Sequence, residues 1–505
     1  MRVKKSFLNA VSNSLILIIR SVLLFVVRIV FVKTLGKMYL GVDSLFTNVL
    51  LVLSIADSGI STAINFSLYK PLADKNYKKL SSLMTFYKKA YKTLGLIVLG
   101  VGLLFIPFLQ FVIHEHIDHI YLYYLIYLAT VVIPYFISYK DSLLTADQNL
   151  YQSSIIVGST FIIMYLLRIA FLIYLPNFFI FAIIQLVMII IQRILINRYI
   201  TKKYKQVNFN EKESITKKEK KTIFKNVKAV FLNKVGYFLV AGTDNIIISA
   251  IPGLGLGVVA IYTNYYSVVG TVDNVILKGL SGITSSFGDL AVSESKEIQE
   301  DVFNILAFLT FILVGLFTIG FMFLLTPLIQ ICFGSGFKVS IMVLLAICLN
   351  FYFSGNLKSL DVIKEATGVY HQDRYVNMLQ ALINVILSIT LGIKFGLFGV
   401  VLATLISCIV LPLWNRPYIA YKYIFKKKPY KYYLRQFMYL LSLVLIFIVT
   451  HIILKYIVID NAIISFIVKA VIISIIYFIG ISIIYFKTKE YKYLYTTIKK
   501  KIKKA

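Results

Sequence analysis

Residues 41–48 read Gly-Val-Asp-Ser-Leu-Phe-Thr-Asn, and residues 257–264 read Gly-Val-Val-Ala-Ile-Tyr-Thr-Asn. Extending this register without gaps gives about 8 identities over about 26 positions, where two unrelated apolar helices would share about 2. Both copies begin on the outer side of the predicted topology and run inward. The repeat therefore predicts two six-helix lobes related by an axis along the membrane normal.

The sequence around the repeat has the composition of a membrane protein. Of 505 residues, 59% are hydrophobic and 15% are charged, and the mean hydropathy is +0.83. A soluble domain could not bury so much apolar surface. Because a helix needs about 20 apolar residues to cross a bilayer core, the hydropathy pattern predicts about fourteen spans, at roughly 13–35, 41–70, 93–113, 120–139, 152–175, 178–199, 229–252, 257–291, 302–331, 339–366, 375–393, 396–425, 436–458 and 463–486.

The predicted fold class is therefore an all-α integral membrane protein with two six-helix lobes and an additional helix pair. The expected divisions are an N-lobe at 1–200, a basic cytoplasmic loop at 201–228, a C-lobe at 229–425, spans 13 and 14 at 426–486, and a basic cytoplasmic tail at 487–505. The loop is polar and rich in lysine, which is typical of a flexible segment.

The formal net charge of +31 decides the predicted orientation. With both termini in the cytoplasm, about 41 of the Lys and Arg residues fall on cytoplasmic segments and about 5 outside, as the positive-inside rule requires. The charge is thus explained by topology and by anionic lipid at the cytoplasmic face, and we expect no nucleic-acid partner.

Basic side chains inside the spans suggest what the helices do. An ionisable group in a span costs about 2.5–3.5 kcal/mol, so it normally faces a cavity or a partner. Bases outnumber acids among these groups, which predicts a net-positive cavity for an anionic passenger. The candidate substrate-binding residues are these bases and the asparagines that end the octapeptide: Arg20, Arg28, Arg168, Lys234, Lys278, Lys358, Asn48 and Asn264.

Polar side chains also form a stripe on the eighth span, because they recur every three or four residues. Such a stripe lines a cavity or joins packed helices by hydrogen bonds, and the sequence leaves both interpretations open. Its members are Asn264, Ser267, Thr271, Asn274, Lys278, Ser281 and Ser285.

Carboxylates inside the spans are the candidates for energy coupling, because a carboxylate in a low-dielectric span can titrate or hold a cation. The alternative is that each one only neutralises a nearby Arg or Lys. The four candidates are Asp57, Asp244, Asp273 and Asp361.

Other patterns do not indicate a site. The outer loop contains histidines and acids, at 114–119, but we expect them to be solvated rather than metal-binding. Residues 334–338 lack the spacing of a phosphate-binding P-loop. No Asp-x-Asp pair of the kind that holds a metal–nucleotide-sugar is present, so we expect no metal and no cofactor, and no catalytic residue is assigned.

Several stretches resemble bacterial polysaccharide flippases, which carry lipid-linked oligosaccharides and belong to the superfamily that also holds the multidrug and toxic compound extrusion (MATE) transporters. The similar residues are 31–36, 39–42, 45–48, 66–73, 243–246 with Ser249, 368–370 and 373–375. The resemblance covers most of residues 1–425. The last two spans resemble those of fourteen-span members, which include lipid II flippases.

The resemblance implies a multi-pass protein of the bacterial cytoplasmic membrane that works by alternating access. Its expected substrate is an undecaprenyl-pyrophosphate-linked oligosaccharide repeat unit for capsule, exopolysaccharide or O-antigen assembly, and polysaccharide assembly proteins are expected partners. Two alternatives stay open. One is a multidrug or ion antiporter of the same fold, and the other is a membrane enzyme of wall-polymer assembly, a polymerase or ligase.

Overall fold

The structure is a computed structural model that describes residues 2–54, 67–147, 150–211, 215–217, 219–221, 223, 239, 242–369, 372 and 375–502. Within these ranges the chain is helical and contains no β-strand. The predicted all-α membrane class is therefore confirmed. Helices suit this composition because a backbone in lipid must satisfy its own hydrogen bonds.

The longer helices follow one another along the chain. In the first half they are α1 (Arg2–Leu53), α2 (Tyr77–Leu104), α3 (Ile120–Tyr135), α4 (Asp141–Ala146), α5 (Leu150–Tyr174) and α6 (Phe178–Lys203). In the second half they are α7 (Gly255–Ser281), α8 (Thr284–Ser293), α9 (Lys296–Phe333), α10 (Ile341–Thr367), α11 (Val376–Val410), α12 (Pro412–Ala420), α13 (Tyr430–Lys455), α14 (Ala462–Tyr485) and α15 (Lys489–Ile502).

Two glycines break the longest apolar helices. α1 has 52 residues, which at about 1.5 Å each would exceed twice the bilayer core of about 30 Å. At Gly36 its backbone leaves the helical region, with φ 83° and ψ 175°. α11 breaks in the same way at Gly396, with φ 60° and ψ −140°. Positive φ favours glycine, so each glycine lets one apolar run become two helices.

Membrane-length helices can be counted over the described residues. Among the described residues, eight helices are long and apolar enough to cross a membrane, or up to ten if each of two bent pairs forms one span. One of the eight, Val376–Phe425, has 50 residues and contains the break at Gly396. The count of fourteen stays a prediction.

The helices pack into two compact units, Met1–Ala260 and Ile261–Ala505. In the first unit α1 packs on α5, and α6 packs on both α5 and α3. In the second unit α10 packs between α9 and α11, while α13 and α14 pack on each other and on α9. The predicted lobes at 1–200 and 229–425 stay a prediction.

In the first unit, the loop around Glu115 contacts the start of α7. Glu115 Oε1 accepts a hydrogen bond from Leu256 N at 2.6 Å, and Ser249 Oγ donates to Val112 O at 2.5 Å. A Cβ at position 41 would lie 2.1 Å from Leu256 O, so only glycine fits at the start of the first octapeptide. The carboxylate of Glu115 caps the positive N-terminal end of α7.

Replacing Glu115 by Ala is therefore expected to lower stability by about 1 kcal/mol, the usual effect of losing an N-cap acceptor. The measurement is the apparent melting temperature of the purified protein. Asp118→Ala is the matched control, because the Asp118 side chain is 80% exposed in the same loop. Equal apparent melting temperatures of Glu115→Ala and wild type would show that the Glu115 cap does not stabilise the protein.

The basic loop predicted at 201–228 packs against the first unit in its described part, whereas a flexible segment was expected. We call residues 204–211 together with 215–217 and 219–221 the strap. Asn208 N donates to Ser81 Oγ at 2.8 Å, and Glu211 N donates to Thr85 Oγ1 at 3.0 Å. Apolar strap residues, Val207 and Ile215, are buried. The strap therefore lies against the first turns of α2.

An ion pair ties the far end of the strap to α2. Lys79 Nζ lies 2.6 Å from Glu219 Oε1. The hydrogen bond from Lys79 lowers the pKa of Glu219 below its usual value. Because the folded-state pKa is depressed, this stabilisation is present above the usual carboxyl pKa and is lost as the pH falls through the lowered value.

Glu219→Gln is expected to increase tryptic cleavage of the strap up to about fivefold at neutral pH, because an exposed ion pair is worth about 0.2–1 kcal/mol and 1 kcal/mol is about a fivefold change. Glu294→Gln, on the exposed Glu294 side chain after α8, serves as the control. Lowering the pH through the lowered pKa of Glu219 should release the wild-type strap in the same way. Equal cleavage of Glu219→Gln and wild type would contradict the docking role of the pair.

Candidate functional site

Three of the predicted basic residues come together in the first unit. Arg20 and Arg28 lie on α1 and Arg168 lies on α5, and these two helices pack on each other. Arg28 and Arg168 are only 7% and 5% exposed, and Arg28 Nη2 donates to Ser44 Oγ at 2.8 Å. Tyr165, one turn before Arg168, interacts electrostatically with all three. We call these three residues the arginine cluster.

The arginine cluster contains one carboxylate that the sequence interpretation did not assign. Asp43 interacts electrostatically with both Arg28 and Arg168, and its Oδ1 accepts a hydrogen bond from Tyr127 Oη at 2.5 Å. Three positive groups and one negative group leave a net charge of +2. The octapeptide repeat could have indicated that Asp43 has a special role, because the second copy has the apolar Val259 at the matching position.

Aromatic rings orient two members of the cluster. The guanidinium of Arg20 lies 3.7 Å from the centre of the Phe161 ring, and that of Arg168 lies 3.6 Å from the centre of the Phe181 ring. Arg168 also donates from Nε to Phe181 O and from Nη2 to Gln185 Oε1. Stacking fixes a guanidinium plane while leaving part of its donor edge for an oxyanion, which is the geometry arginine uses for phosphate.

The two asparagines of the repeat have different surroundings. Asn48 Nδ2 donates to Ser44 O at 3.1 Å, one turn back on its own helix, and the side chain is half-buried. Asn264 is fully buried, and neither of its side-chain polar atoms has a hydrogen-bond partner among the described residues.

Hydroxyls of the polar stripe on α7 bond to their own helix. Ser267 Oγ donates to Thr263 O at 2.6 Å, and Thr271 Oγ1 donates to Ser267 O at 2.8 Å. Lys278, another member of the stripe, is exposed. The structure thus assigns these two hydroxyls to bonds within α7, with Lys278 left at the surface.

Three of the predicted charged residues of the second unit form ion pairs. Lys358 Nζ on α10 contacts Asp273 Oδ1 on α7. Asp361, one turn further along α10, accepts from Arg416 Nη1 of α12 at 2.7 Å, and Arg416 Nη2 donates to Asn377 Oδ1 at 2.9 Å. Arg416 was not among the predicted site residues. Lys358, Asp273 and Asp361 therefore each have a partner of opposite charge.

Three predicted charges remain. Asp244 is 3% exposed, within the helical residues 242–250. Asp57 and Lys234 lie outside the described residues.

The sequence analysis also did not identify a group of uncharged polar residues on α11. Asn384 Nδ2 donates to Thr404 Oγ1 at 3.1 Å, across the break in α11. Asn384 Oδ1 and the fully buried Ser388 Oγ have no hydrogen-bond partner among the described residues. A search limited to charges inside spans could not find these residues.

One histidine of the 114–119 loop pairs with an exposed carboxylate. His116 Nε2 lies 3.3 Å from Asp118 Oδ1, and their side chains are 95% and 80% exposed. Glu115 is used by the cap of α7. Over the ranges that the structure describes, no group of three or more His, Cys, Asp or Glu side chains could hold a metal ion.

Comparison with known proteins gives a structural match and no sequence match. No protein-family model matches the sequence, and no curated protein sequence matches it. Among solved structures, a lipid II flippase (MurJ) in an inward closed conformation has 18% identity and a TM-score of 0.68, covering 94% of this chain and 98% of that one.

Two structures of MATE transporters match as well. An inward-facing MATE family transporter of the MOP superfamily has 15% identity and a TM-score of 0.65, covering 81% of this chain and 98% of that one. The Vibrio cholerae MATE transporter VcmN in its bent form has 13% identity and a TM-score of 0.53, covering 84% and 98%. At these identities the likeness shows the fold alone: the chain has the fold shared by the lipid II flippase structure and the MATE transporter structures.

Proposed function

We propose that the protein is a flippase that moves an undecaprenyl-pyrophosphate-linked oligosaccharide repeat unit from the cytoplasmic to the outer leaflet of the bacterial cytoplasmic membrane. The observation that carries the proposal is the arginine cluster. Two of its three arginines are buried, it has a net charge of +2 over its arginines and Asp43, and two of its guanidiniums lie over aromatic rings. Pyrophosphate is the part of such a substrate that needs a basic path.

The chemistry of each part of the substrate fits a different environment. Guanidinium groups bind phosphate oxygens through two parallel hydrogen bonds, and these are stronger than hydrogen bonds between neutral groups. The polyprenyl tail is apolar and can stay in the bilayer while the head crosses. Lys234, Lys278, Lys358, Asn48 and Asn264 complete the proposed substrate path. In this proposal the lobes at 1–200 and 229–425 expose the substrate path alternately to the two sides of the membrane. Spans 13 and 14 lie outside the two lobes.

Energy coupling is proposed to rest on a carboxylate. Asp244 is the strongest of the described candidates because it is almost fully buried. Asp273 and Asp361 are held in ion pairs, which favours a structural role for both. Asp57 stays in the candidate set. No ATP-binding loop is proposed, so the driving force is an ion gradient, the membrane potential or consumption of the product outside.

The positive charge of the C-terminal helix suggests a partner at the proposed cytoplasmic face. α15 is amphipathic and carries lysines at 489, 492, 499, 500 and 501, so we propose that it contacts anionic lipid. Polysaccharide assembly proteins are proposed as further partners. Neither a nucleic acid nor a cofactor is part of the proposal.

A multidrug or ion antiporter is the second candidate function, because MATE transporters are among the structural matches. The charge of the arginine cluster argues against cationic drugs, which a site of net +2 would repel. A membrane polymerase or ligase is the third candidate function.

The test is flipping by the purified full-length chain in proteoliposomes. A fluorescent undecaprenyl-pyrophosphate-linked oligosaccharide is placed in both leaflets, and a membrane-impermeant quencher then reports the fraction that reaches the outer leaflet. We expect the protein to make nearly all of the probe accessible, whereas empty liposomes protect the inner half. Ethidium extrusion under an imposed ion gradient, without flipping of the lipid, would favour the antiporter instead.

The proposed orientation has its own test in intact cells. A short tag inserted beside the exposed Asp118 is expected to react with an impermeant reagent from outside, whereas tags in the 201–228 loop and after residue 502 are expected to react only after lysis. Position 118 is a better insertion site than 115, because Glu115 caps α7. Labelling of the 201–228 tag on intact cells would reverse the topology.

A further inference from the structure

A second polar site lies in the first unit, apart from the arginine cluster. It is a pocket of about 280 Å³ whose walls come from α2, α3, α4, α6, the turn between α3 and α4, and Ser54, the residue after α1. Pro134 lies inside α3, and the helical stretch that follows α3 is bent from it by 42°. Residues on both sides of this bend line the pocket, so the bend that proline introduces helps to create it.

The pocket holds one ion pair with no excess charge. Arg193 Nη1 of α6 lies 2.8 Å from Asp141 Oδ2 of α4. Arg193 Nε is buried and has no hydrogen-bond partner among the residues that the structure describes, and the same is true of Ser138 Oγ. A buried donor without a partner costs about 1–3 kcal/mol, and both of these residues line the pocket.

Hydroxyl groups around the pair provide acceptors. Ser54 Oγ donates to Leu51 O at 2.8 Å, and Thr145 Oγ1 donates to Asp141 O at 3.3 Å. Each hydroxyl has one hydrogen, so these oxygens can only accept from a ligand. The pocket thus combines the donors of Arg193 with acceptors from two hydroxyls and one carboxylate.

This combination fits a neutral polyhydroxyl group better than an ion. A phosphate would meet the carboxylate of Asp141, and a metal cation would meet the guanidinium of Arg193. A sugar hydroxyl both donates and accepts, so it can pair with each kind of group. The volume is close to the lower limit of about 300 Å³ for small-molecule pockets, which suits one sugar ring rather than an oligosaccharide.

We propose that this pocket, which we call the sugar pocket, binds one neutral sugar ring of the transported head group, while the arginine cluster holds the pyrophosphate. The inference rests on the proposed flippase function for its physiological ligand. Asp141 belongs to the segment that the predicted topology places at the cytoplasmic side. The sugar pocket is therefore placed to select the sugar before the head group crosses.

The test uses the full-length chain in detergent and saturation-transfer NMR with glucose, galactose and N-acetylglucosamine as separate probes. At least one sugar is expected to receive saturation from the wild type. Ser138→Leu, which fills the pocket, and Arg193→Gln, which removes its donors, should each reduce the signal at least about tenfold, as loss of a hydrogen bond to a charged group implies. Arg198→Gln is the matched control, since Arg198 is exposed on the same helix.

Several results would overturn the proposal. One is that the wild type gives no signal with any of the three sugars. Another is that the signal is unchanged in both pocket variants. A third is that inorganic pyrophosphate displaces the sugar, which would make the pocket an anion site. The proposed function fails separately. A wild type that gives the sugar signal but flips no lipid-linked pyrophosphate in proteoliposomes would sink the flippase assignment and leave the sugar pocket standing.

Discussion

Arg28→Ala is expected to reach the membrane at the wild-type level and to flip the lipid-linked pyrophosphate about one to two orders of magnitude more slowly. The reason is that a hydrogen bond to a charged group is worth about 1.5–3 kcal/mol, and each 1.4 kcal/mol is a tenfold change. Arg20→Ala should give an effect of the same size. Arg28→Lys should recover part of the rate, because lysine keeps the charge but not the planar fork.

The control for this result is the pair Ser267→Ala and Ser281→Ala, made together. Both hydroxyls bond to carbonyls of their own helix, so their removal should change flipping by no more than about threefold. The measurement is the initial rate in proteoliposomes, with protein orientation and amount determined in each preparation. If Arg20→Ala and Arg28→Ala both flip the lipid at the wild-type rate, the arginine cluster is not part of the substrate path.

Asp273→Asn has the largest expected effect on stability. The Lys358 side chain is only 10% exposed, and the change leaves its ammonium without a carboxylate partner. Breaking a buried ion pair costs about 3–5 kcal/mol, and since Asp273 is about a third exposed we expect about 2–3 kcal/mol. The expected observation is a lower protein level and a lower apparent melting temperature.

A second change separates pairing from coupling. Adding Lys358→Met to Asp273→Asn removes the unpaired charge, so the double variant should recover most of the lost stability. Asp289→Asn, at an exposed position on α8, serves as the control. If Asp273→Asn is as stable as the wild type but no longer responds to an imposed proton or sodium gradient, Asp273 is a coupling group and not a structural partner.

The sequence predicted helices and the residues that break them better than it predicted which side chains meet. Composition and hydropathy were sufficient for the all-α membrane class, because lipid allows few other backbones. Gly36 and Gly396 fall where one predicted span ends and the next begins, since positive φ favours glycine. The number of spans could not be settled in this way, because bent and continuous helices have the same apolar composition.

The arginine cluster was partly predictable. A base in a span signals a cavity or a partner, and that rule selected Arg20, Arg28 and Arg168. It could not show that α1 and α5 pack together, nor that Asp43 lies among the arginines. The charge that breaks the octapeptide repeat at position 43 was the available signal.

Long-range pairing explains the remaining differences. Lys358 and Asp273 are 85 residues apart, and Arg416 and Asp361 are 55 apart, so no helical periodicity links them. The strap contacts α2 across more than a hundred residues through backbone donors, which depend little on residue type. The sugar pocket depends on the bend after α3, and a proline in a sequence does not indicate which way a helix bends.

The central claim is that the pyrophosphate is what the arginine cluster recognises, and one comparison tests it most directly. Wild-type proteoliposomes are given two fluorescent lipids with the same polyprenyl chain and the same oligosaccharide, one joined through pyrophosphate and the other through a neutral glycosidic link. We predict that the pyrophosphate lipid is flipped at least about tenfold faster, and that Arg28→Ala brings the two rates together. Equal rates for the two lipids on the wild-type protein would contradict the account.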